Sequence, residues 1–325
     1  MNSEAPSART CRRHRTALAA VLTLPLLTVA ACGTSGGSGT PGGIDQPSSP
    51  PSGTASGGST GTPAPSTSTA PGATHSPPST SGGTGTTAKQ IRTAVYFQHG
   101  EHVAPAPRTV TAPATATGAV RALLNGPSRY EGGHSRTTAI PSGTTLNSVV
   151  VRDHVATVDL SGLYDDGGGT LSMRARLAQV VFTVTHFSSI HAVQFELDGK
   201  PVKAFGGEGI VLNGPVGRCD FEDLAPAVLM ESPLIGDTVL TPVRVWGSAN
   251  MLEAVFRLKV TDTSGRTTAD VRVKATSGTG TRGTFDVTFP FKATRTGPGL
   301  LTAYYLSPKD GKPVTVDTVP LNVNR

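Results

Sequence analysis

His99, Glu101 and His102 place three metal-capable side chains within four positions, and a zinc site needs such donors close together. They follow a strand-like run, and no third histidine or further carboxylate is positioned to complete a coordination sphere. A solvated turn is expected there. Asp165-Asp166, ahead of three glycines, has the charge to touch a cation but reads as the lead-in to a helix. His186 and His191 flank the end of a helix-like stretch, where the helix dipole alone explains a basic side chain. Gly33-Thr34-Ser35-Gly36-Gly37 spells G-x-S-x-G, the spacing of a nucleophile elbow, but no strand precedes it and no helix follows. No P-loop, HExxH or dinucleotide fingerprint occurs. The residues therefore predict no catalytic, metal or cofactor site, and the chain is not expected to be an enzyme.

The cysteines point to different chemistry. Arg12, Arg13 and Arg15 precede an uncharged run, Ala17 to Ala31, which Pro25 interrupts. As a helix that run spans about 22 Å, short of the roughly 30 Å hydrocarbon core, so it reads as the apolar part of a signal peptide. Small residues Ala30 and Ala31 lead directly to Cys32. Val29-Ala30-Ala31-Cys32 resembles a bacterial lipobox, which implies cleavage before Cys32 and acylation of that residue. An ordinary secreted protein cut nearby is the alternative. Two or three acyl chains hold a protein stably on a bilayer where one does not. Cys219 is the one cysteine of the folded region, so no disulfide can form within it. A small, semi-buried thiol near a domain junction is expected, with an intermolecular thiol as the alternative.

Positions 33–88 form a tether: forty-seven of these fifty-six residues are Gly, Ser, Thr or Pro, and Asp45 is the one charge. Such a segment cannot bury enough apolar surface to offset its ordering entropy, and its root-mean-square span is about 40 Å. The composition is also compatible with O-linked sugar. From Lys89 onward there are 24 basic and 20 acidic side chains without a block of like charge, which argues against nucleic acid.

The elements that must position any site begin at Lys89. Ile91 to Phe97 reads as a strand, and Ala119, Val120, Leu123 and Leu124 recur at helical spacing before Asn125-Gly126-Pro127. Leu146–Val151 and Val155–Leu160 form two arms of a hairpin around Asp153. Thr170 is placed to cap a second helix carrying Met173, Leu177, Val180, Val181, Val184 and Phe187 on one face. A last strand follows in "IHAVQFELDGK". The order predicts an α+β domain, residues 89–205, with two helices against one face of a small sheet. Residues 206–226 are glycine-rich and then acidic, and read as an interdomain linker.

From residue 227 to 325, strand-like runs recur at short intervals: Val239–Trp246, Ala254–Val260, Ala269–Ala275, Phe285–Phe291, Leu300–Leu306 and Val314–Val319. Alternation in Val255–Val260 predicts a β-sandwich with one wet face per sheet. Trp246 is expected in its core, and at least one of Tyr304 and Tyr305 should point inward.

"VYF", "VRALLNGPS", "AIPSGTTLNSVVVRDHVATVDLS" and "RLAQVVFTVTHFSSIHAVQFELDGKPV" together resemble the GerMN domain of sporulation and spore-germination proteins, over roughly Ile91 to Val202. Some members of that family resemble the ring-building motif of trans-envelope complexes, which implies protein–protein contacts. "MESPLIGDTVLTPVRVWGSANMLEAVFRLKVTDTSG" resembles the immunoglobulin-like domain of bacterial spore germination, over roughly Ala227 to Val323. The expected architecture is a signal peptide (1–31), a lipidated Cys32 with a disordered linker (32–88), the α+β domain and the immunoglobulin-like domain. The expected role is non-enzymatic: a lipid anchor on the outer face of the cell membrane, and an envelope protein as partner. The alternative is binding of cell-wall glycan. Only sixteen Phe, Trp and Tyr residues serve two cores, which leaves few for a sugar-stacking platform. A wall hydrolase is the third class, and no sequence marker supports it.

Overall fold

The computed structural model describes residues 88–207 and 209–325. The leader, Cys11, Cys32, the tether and its G-x-S-x-G lie outside the described residues.

Strands β1 (Gln90–His99) and β2 (His102–Thr111) form a hairpin with a ladder from Gln90↔Thr111 to His99↔His102. Its turn is Gly100-Glu101, and Gly100 at φ +64° uses the left-handed region that glycine enters without a Cβ penalty. Pro105 and Pro107 hide β2 from sequence reading. They are tolerated because β2 is an outer strand, in the order β2-β1-β3. Helix α1 (Thr115–Leu124) buries Ala119, Val120 and Leu123 and ends where its spacing predicts. A short helix that was not expected, α2 (Arg129–Gly133), starts in a capping box between Ser128 and Glu131. Strand β3 (Arg136–Thr137) pairs with the end of β1.

The expected hairpin is present as β4 (Leu146–Arg152) and β5 (Val155–Leu160). Asp153 and His154 at φ +47° and +64° give the turn the handedness that a two-residue hairpin needs. A 3-10 turn (Gly162–Asp165) and helix α3 (Thr170–Val184) carry the chain back to β6 (Ala192–Leu197), parallel to β5. Gly169 is the N-cap, so Thr170 opens α3 rather than capping it, and Phe187 lies beyond its end. Strand β7 (Lys200–Pro201) completes a sheet ordered β4-β5-β6-β7.

The α+β class holds, but the strands divide between two sheets instead of one. Beyond its two pairs with β3, the edge of β1 away from β2 meets α3 instead of another strand. Thr183 Oγ1 accepts from the Tyr96 N–H at 2.9 Å, and Gln179 Nε2 donates to the Tyr96 carbonyl at 3.3 Å. Gln179 Oε1 also accepts from Ala139 N–H at 2.9 Å. Two side chains one helical turn apart thus do the work of a ladder neighbour. This accounts for two fully buried polar residues on a helix that is buried on nearly every side.

The segment 206–226 carries structure of its own. Strand β8 (Ala204–Phe205) pairs with β9 (Ile210–Val211), Val216 bridges to Val193, and a 3-10 helix, Arg218–Leu224, buries Phe221 and Leu224.

The remaining strands are β10 (Val228–Ser232), β11 (Thr238–Val239), β12 (Val243–Ala249), β13 (Val255–Thr261), β14 (Thr267–Lys274), β15 (Gly283–Phe289), β16 (Gly297–Leu306) and β17 (Pro313–Val323). They form two sheets, β10-β12-β15 and β11-β17-β16-β13-β14, as a sandwich requires. Phe256 of one sheet meets Phe285 of the other edge to face, with ring centroids 4.9 Å apart. Strand β13 alternates as predicted, with Phe256, Leu258 and Val260 buried. Tyr304 points inward and Tyr305 is half-buried; Trp246 is half-buried and not a core residue.

Candidate functional site

The densest set of interacting ionisable groups lies where the two domains meet. Strand β1 supplies one side of the contact. Arg92 pairs with Asp237, whose other carboxylate oxygen accepts from Leu234 N–H. Two alternate positions further along, Tyr96 donates its hydroxyl hydrogen to Glu231 of β10. Arg218, at the start of the 3-10 helix, donates to the same Glu231 oxygen at 2.8 Å and to the Tyr96 hydroxyl at 3.2 Å. It also donates to the Phe182 carbonyl at 3.2 Å and to Thr185 Oγ1 at 3.0 Å. Its guanidinium sits over the rings of Tyr96 and Phe182, 5.2 and 4.9 Å from their centroids. Arg218 therefore joins β1, the end of α3 and β10, although it comes from the segment read as linker.

Each shift in this cluster has a physical cause. Burial pushes the Tyr96 hydroxyl well up; Arg218 opposes this and Glu231 adds to it. Burial alone would raise the Glu231 carboxyl, but the Arg218 charge, then His186 and the Tyr96 hydrogen bond, hold it below the usual carboxylate range. Burial would likewise lower Arg218, and Tyr96 and Glu231 more than reverse that. Chemically the cluster is an ion pair with a phenol hydrogen-bonded across it, closed on itself. His186 Nδ1 lies 3.4 Å from the Tyr96 hydroxyl. His186, just past the end of α3, thus packs against the cluster, and burial lowers its pKa. His191 stacks on His154 instead, with ring centroids 4.3 Å apart.

A second contact lies around a cavity of about 220 Å³ at the tip of the β1–β2 hairpin. His99 and His102 line it with Pro226 and the Thr315–Thr318 stretch of β17. His99 Nδ1 is 3.4 Å from Asp317 Oδ1, and Arg136, the ladder partner of His99, donates to Thr318 O at 3.3 Å. The structure thus places His99 and His102 on a tight turn against the second domain. Among the described residues no group of three or more His, Cys, Asp or Glu is arranged to hold a metal ion.

The other sequence candidates are separated from this junction. Asp165 Oδ1 accepts from Gly206 N–H at 2.7 Å, and the carbonyls of Tyr164, Asp166 and Gly167 accept from Arg176. The acidic lead-in is thus organised around a buried cation, Arg176, that sequence reading missed. Cys219 is half-buried beside Arg218, as expected of its place. Arg218, Glu231 and Tyr96 also escaped sequence reading. The one available signal was a glutamate inside the apolar run Val228-Leu229-Met230-Glu231, since a buried charge requires a partner.

Comparison with known proteins gives this arrangement a context. Residues 94–203 match the family model described as "Sporulation and spore germination", and residues 227–312 match the "Immunoglobulin-like domain of bacterial spore germination". No curated protein matches the chain. Among solved structures, a chain from Clostridium perfringens described as a lipoprotein is 22% identical, with a TM-score of 0.31, covering 42% of this chain and 93% of that one. The tandem GerMN domains of the sporulation protein GerM from Bacillus subtilis are 17% identical, with a TM-score of 0.34, covering 57% of this chain and 60% of that one. The first of those GerMN domains alone is 20% identical, with a TM-score of 0.32, covering 39% of this chain and 98% of that one. The chain therefore carries a GerMN-type domain of the sporulation and spore-germination family, joined through Arg218, Tyr96 and Glu231 to the immunoglobulin-like domain of bacterial spore germination.

Proposed function

We propose that this chain is a non-catalytic interaction protein of the cell envelope, held on the outer face of the membrane by acyl chains on Cys32 and serving sporulation or germination. Its partner is an envelope protein that contacts both folded domains together. One observation carries the reading: three buried or half-buried ionisable groups, Tyr96, Glu231 and Arg218, are engaged with each other in joining the domains. Such groups in an enzyme would face a cleft. Here they fix one domain against the other, which suits a composite binding surface. No helix among the described residues is long and apolar enough to cross a membrane.

Cell-wall glycan is the second reading, and the surface does not favour it. Tyr130 is the one aromatic among the large exposed apolar side chains described, and its ring leans on Gly236 instead of standing clear. Sugar recognition by stacking requires open ring faces.

Mass spectrometry of the protein isolated from membranes tests the anchor. A peptide beginning at Cys32 with fatty acyl groups is expected, and Cys32→Ala should release the chain from the membrane fraction. An unmodified leader, or a Cys32 peptide joined to the Cys219 peptide by a disulfide, would overturn it. Photo-crosslinking from surface positions on both domains in native membranes tests the partner. The same envelope protein should be recovered from both sides; recovery of purified peptidoglycan instead would favour the second reading.

A further inference from the structure

We propose that strand β4 is a self-pairing edge through which two copies of this chain associate antiparallel, continuing one four-stranded sheet into the other. The inference does not depend on the anchor. Natural outer strands carry features that block pairing with another chain, and the other long outer strands here have them. Strand β2 has Pro105 and Pro107. Strand β14 carries Asp270, Arg272 and Lys274. Strand β15 carries Asp286, which pairs with Arg244 across to β12. Strand β10 is almost wholly buried.

Strand β4 has neither proline nor charge from Leu146 to Val151, and its one irregularity is a bulge at its beginning, between Leu146 and Ser148. Its neighbour is β5 on one side, and among the described residues no strand pairs on the other. Val150 is 42% exposed and Val151 44% exposed. Successive strand residues point to opposite faces, so both faces of this edge present a β-branched apolar side chain.

The charge pattern selects a second copy as the occupant. Arg152 is the only charge in the strand and lies at its end. Antiparallel pairing centred on Val150 sets Val149 against Val151 in both directions, Arg152 against Ser148, and Asp153 against Asn147. Three valine-on-valine pairs form, and such cross-strand pairs are the unit of sheet stabilisation. The two Arg152 residues then lie about 14 Å apart along the strands, beyond a Debye length of roughly 8 Å. Parallel pairing would set them side by side. A seven-residue edge buries too little surface for a permanent dimer, so the association is weak in dilute solution and strengthens when copies are concentrated on one surface.

Cysteine crosslinking of the full-length chain, purified and concentrated, tests this. Under mild oxidation Val150→Cys should give a product of twice the chain mass, at least tenfold above both the wild type and Arg272→Cys on β14. Adding Val151→Lys should abolish it, with circular dichroism confirming the fold. Should Val150→Cys fold poorly, co-expressed Ser148→Cys and Arg152→Cys chains should crosslink to each other. Absence of a doubled product in both formats, its persistence with Val151→Lys, or a product containing a different protein would overturn the proposal.

Discussion

Arg218 holds Glu231 and Tyr96 at once, so losing it leaves a carboxylate buried without its cation. Breaking a buried ion pair from one side costs roughly 3–5 kcal/mol, and the side chain of Arg218 is 25% exposed, which places the loss near the lower end. Arg218→Ala is therefore expected to lower unfolding free energy by about 3 kcal/mol in urea titration. Glu231→Gln should cost less at neutral pH, because the amide oxygen still accepts from both partners. The acid limb separates the two substitutions further. Glu231 has a folded pKa below its unfolded value, so its contribution is full above the ordinary carboxylate range and is lost as pH falls through the depressed folded value. The urea midpoint of the wild type should fall as pH drops below about 4.5, and that part of the fall should disappear in Glu231→Gln. Asp262 has the same sign. Its carboxylate accepts from Ser264 and Thr294 and is held well below the usual range, mainly by those side-chain hydrogen bonds. Asp262→Ala should therefore also flatten the acid limb. Local residue choice makes Thr263-Ser264-Gly265 legible as a turn. Nothing local marked Tyr96, Arg218 and Glu231, whose separations of 122 and 13 residues carry no periodicity.

Helix α3 and strand β1 show where element reading succeeds and where it stops. Strand β1, helix α1, the β4–β5 hairpin and six strands of the sandwich were legible, because alternation, helical spacing and turn residues agree over each run. What was illegible was the division into two sheets. It depends on Gln179 and Thr183 turning toward the edge of β1, and a polar residue on a helix more often faces water. These positions predict an outcome unlike that of a surface residue. Gln179→Ala strands the Tyr96 carbonyl and the Ala139 N–H, at about 1–3 kcal/mol for each buried group left unpaired. Gln179→Leu should be no better, since it keeps volume but restores neither bond. Thermal unfolding of both variants beside wild type checks this; equal melting temperatures for all three would show that water replaces the side chain at that edge. Strand β2 was lost for the opposite reason. Prolines that forbid a central strand are acceptable on an outer one, and position within a sheet is not a local property.

At the scale of the molecule, the question is whether the junction makes the two domains unfold together. One hydrophobic core runs from Ala94 to Val323, and the ion pairs Arg92–Asp237 and Arg218–Glu231 and the hydrogen bond Tyr96–Glu231 lie across it. The sequence divides its spectroscopic probes usefully. Its single tryptophan, Trp246, belongs to the immunoglobulin-like domain, while every described α-helix lies within residues 115–184 of the GerMN-type domain. Tryptophan fluorescence therefore follows one domain and helical circular dichroism the other. If the junction couples them strongly, both signals share one urea midpoint and one slope, as a two-state transition requires. In Arg218→Ala the coupling term is reduced, and the two midpoints should separate, the less stable domain unfolding first. Coincident midpoints in both proteins would locate the coupling in the apolar core instead of the ion pair. Separated midpoints in the wild type would mean independent domains, and a partner would then have to bring them together on binding. The comparison thus distinguishes a composite surface that exists beforehand from one assembled on contact, with the ordering cost of the second appearing as weaker affinity.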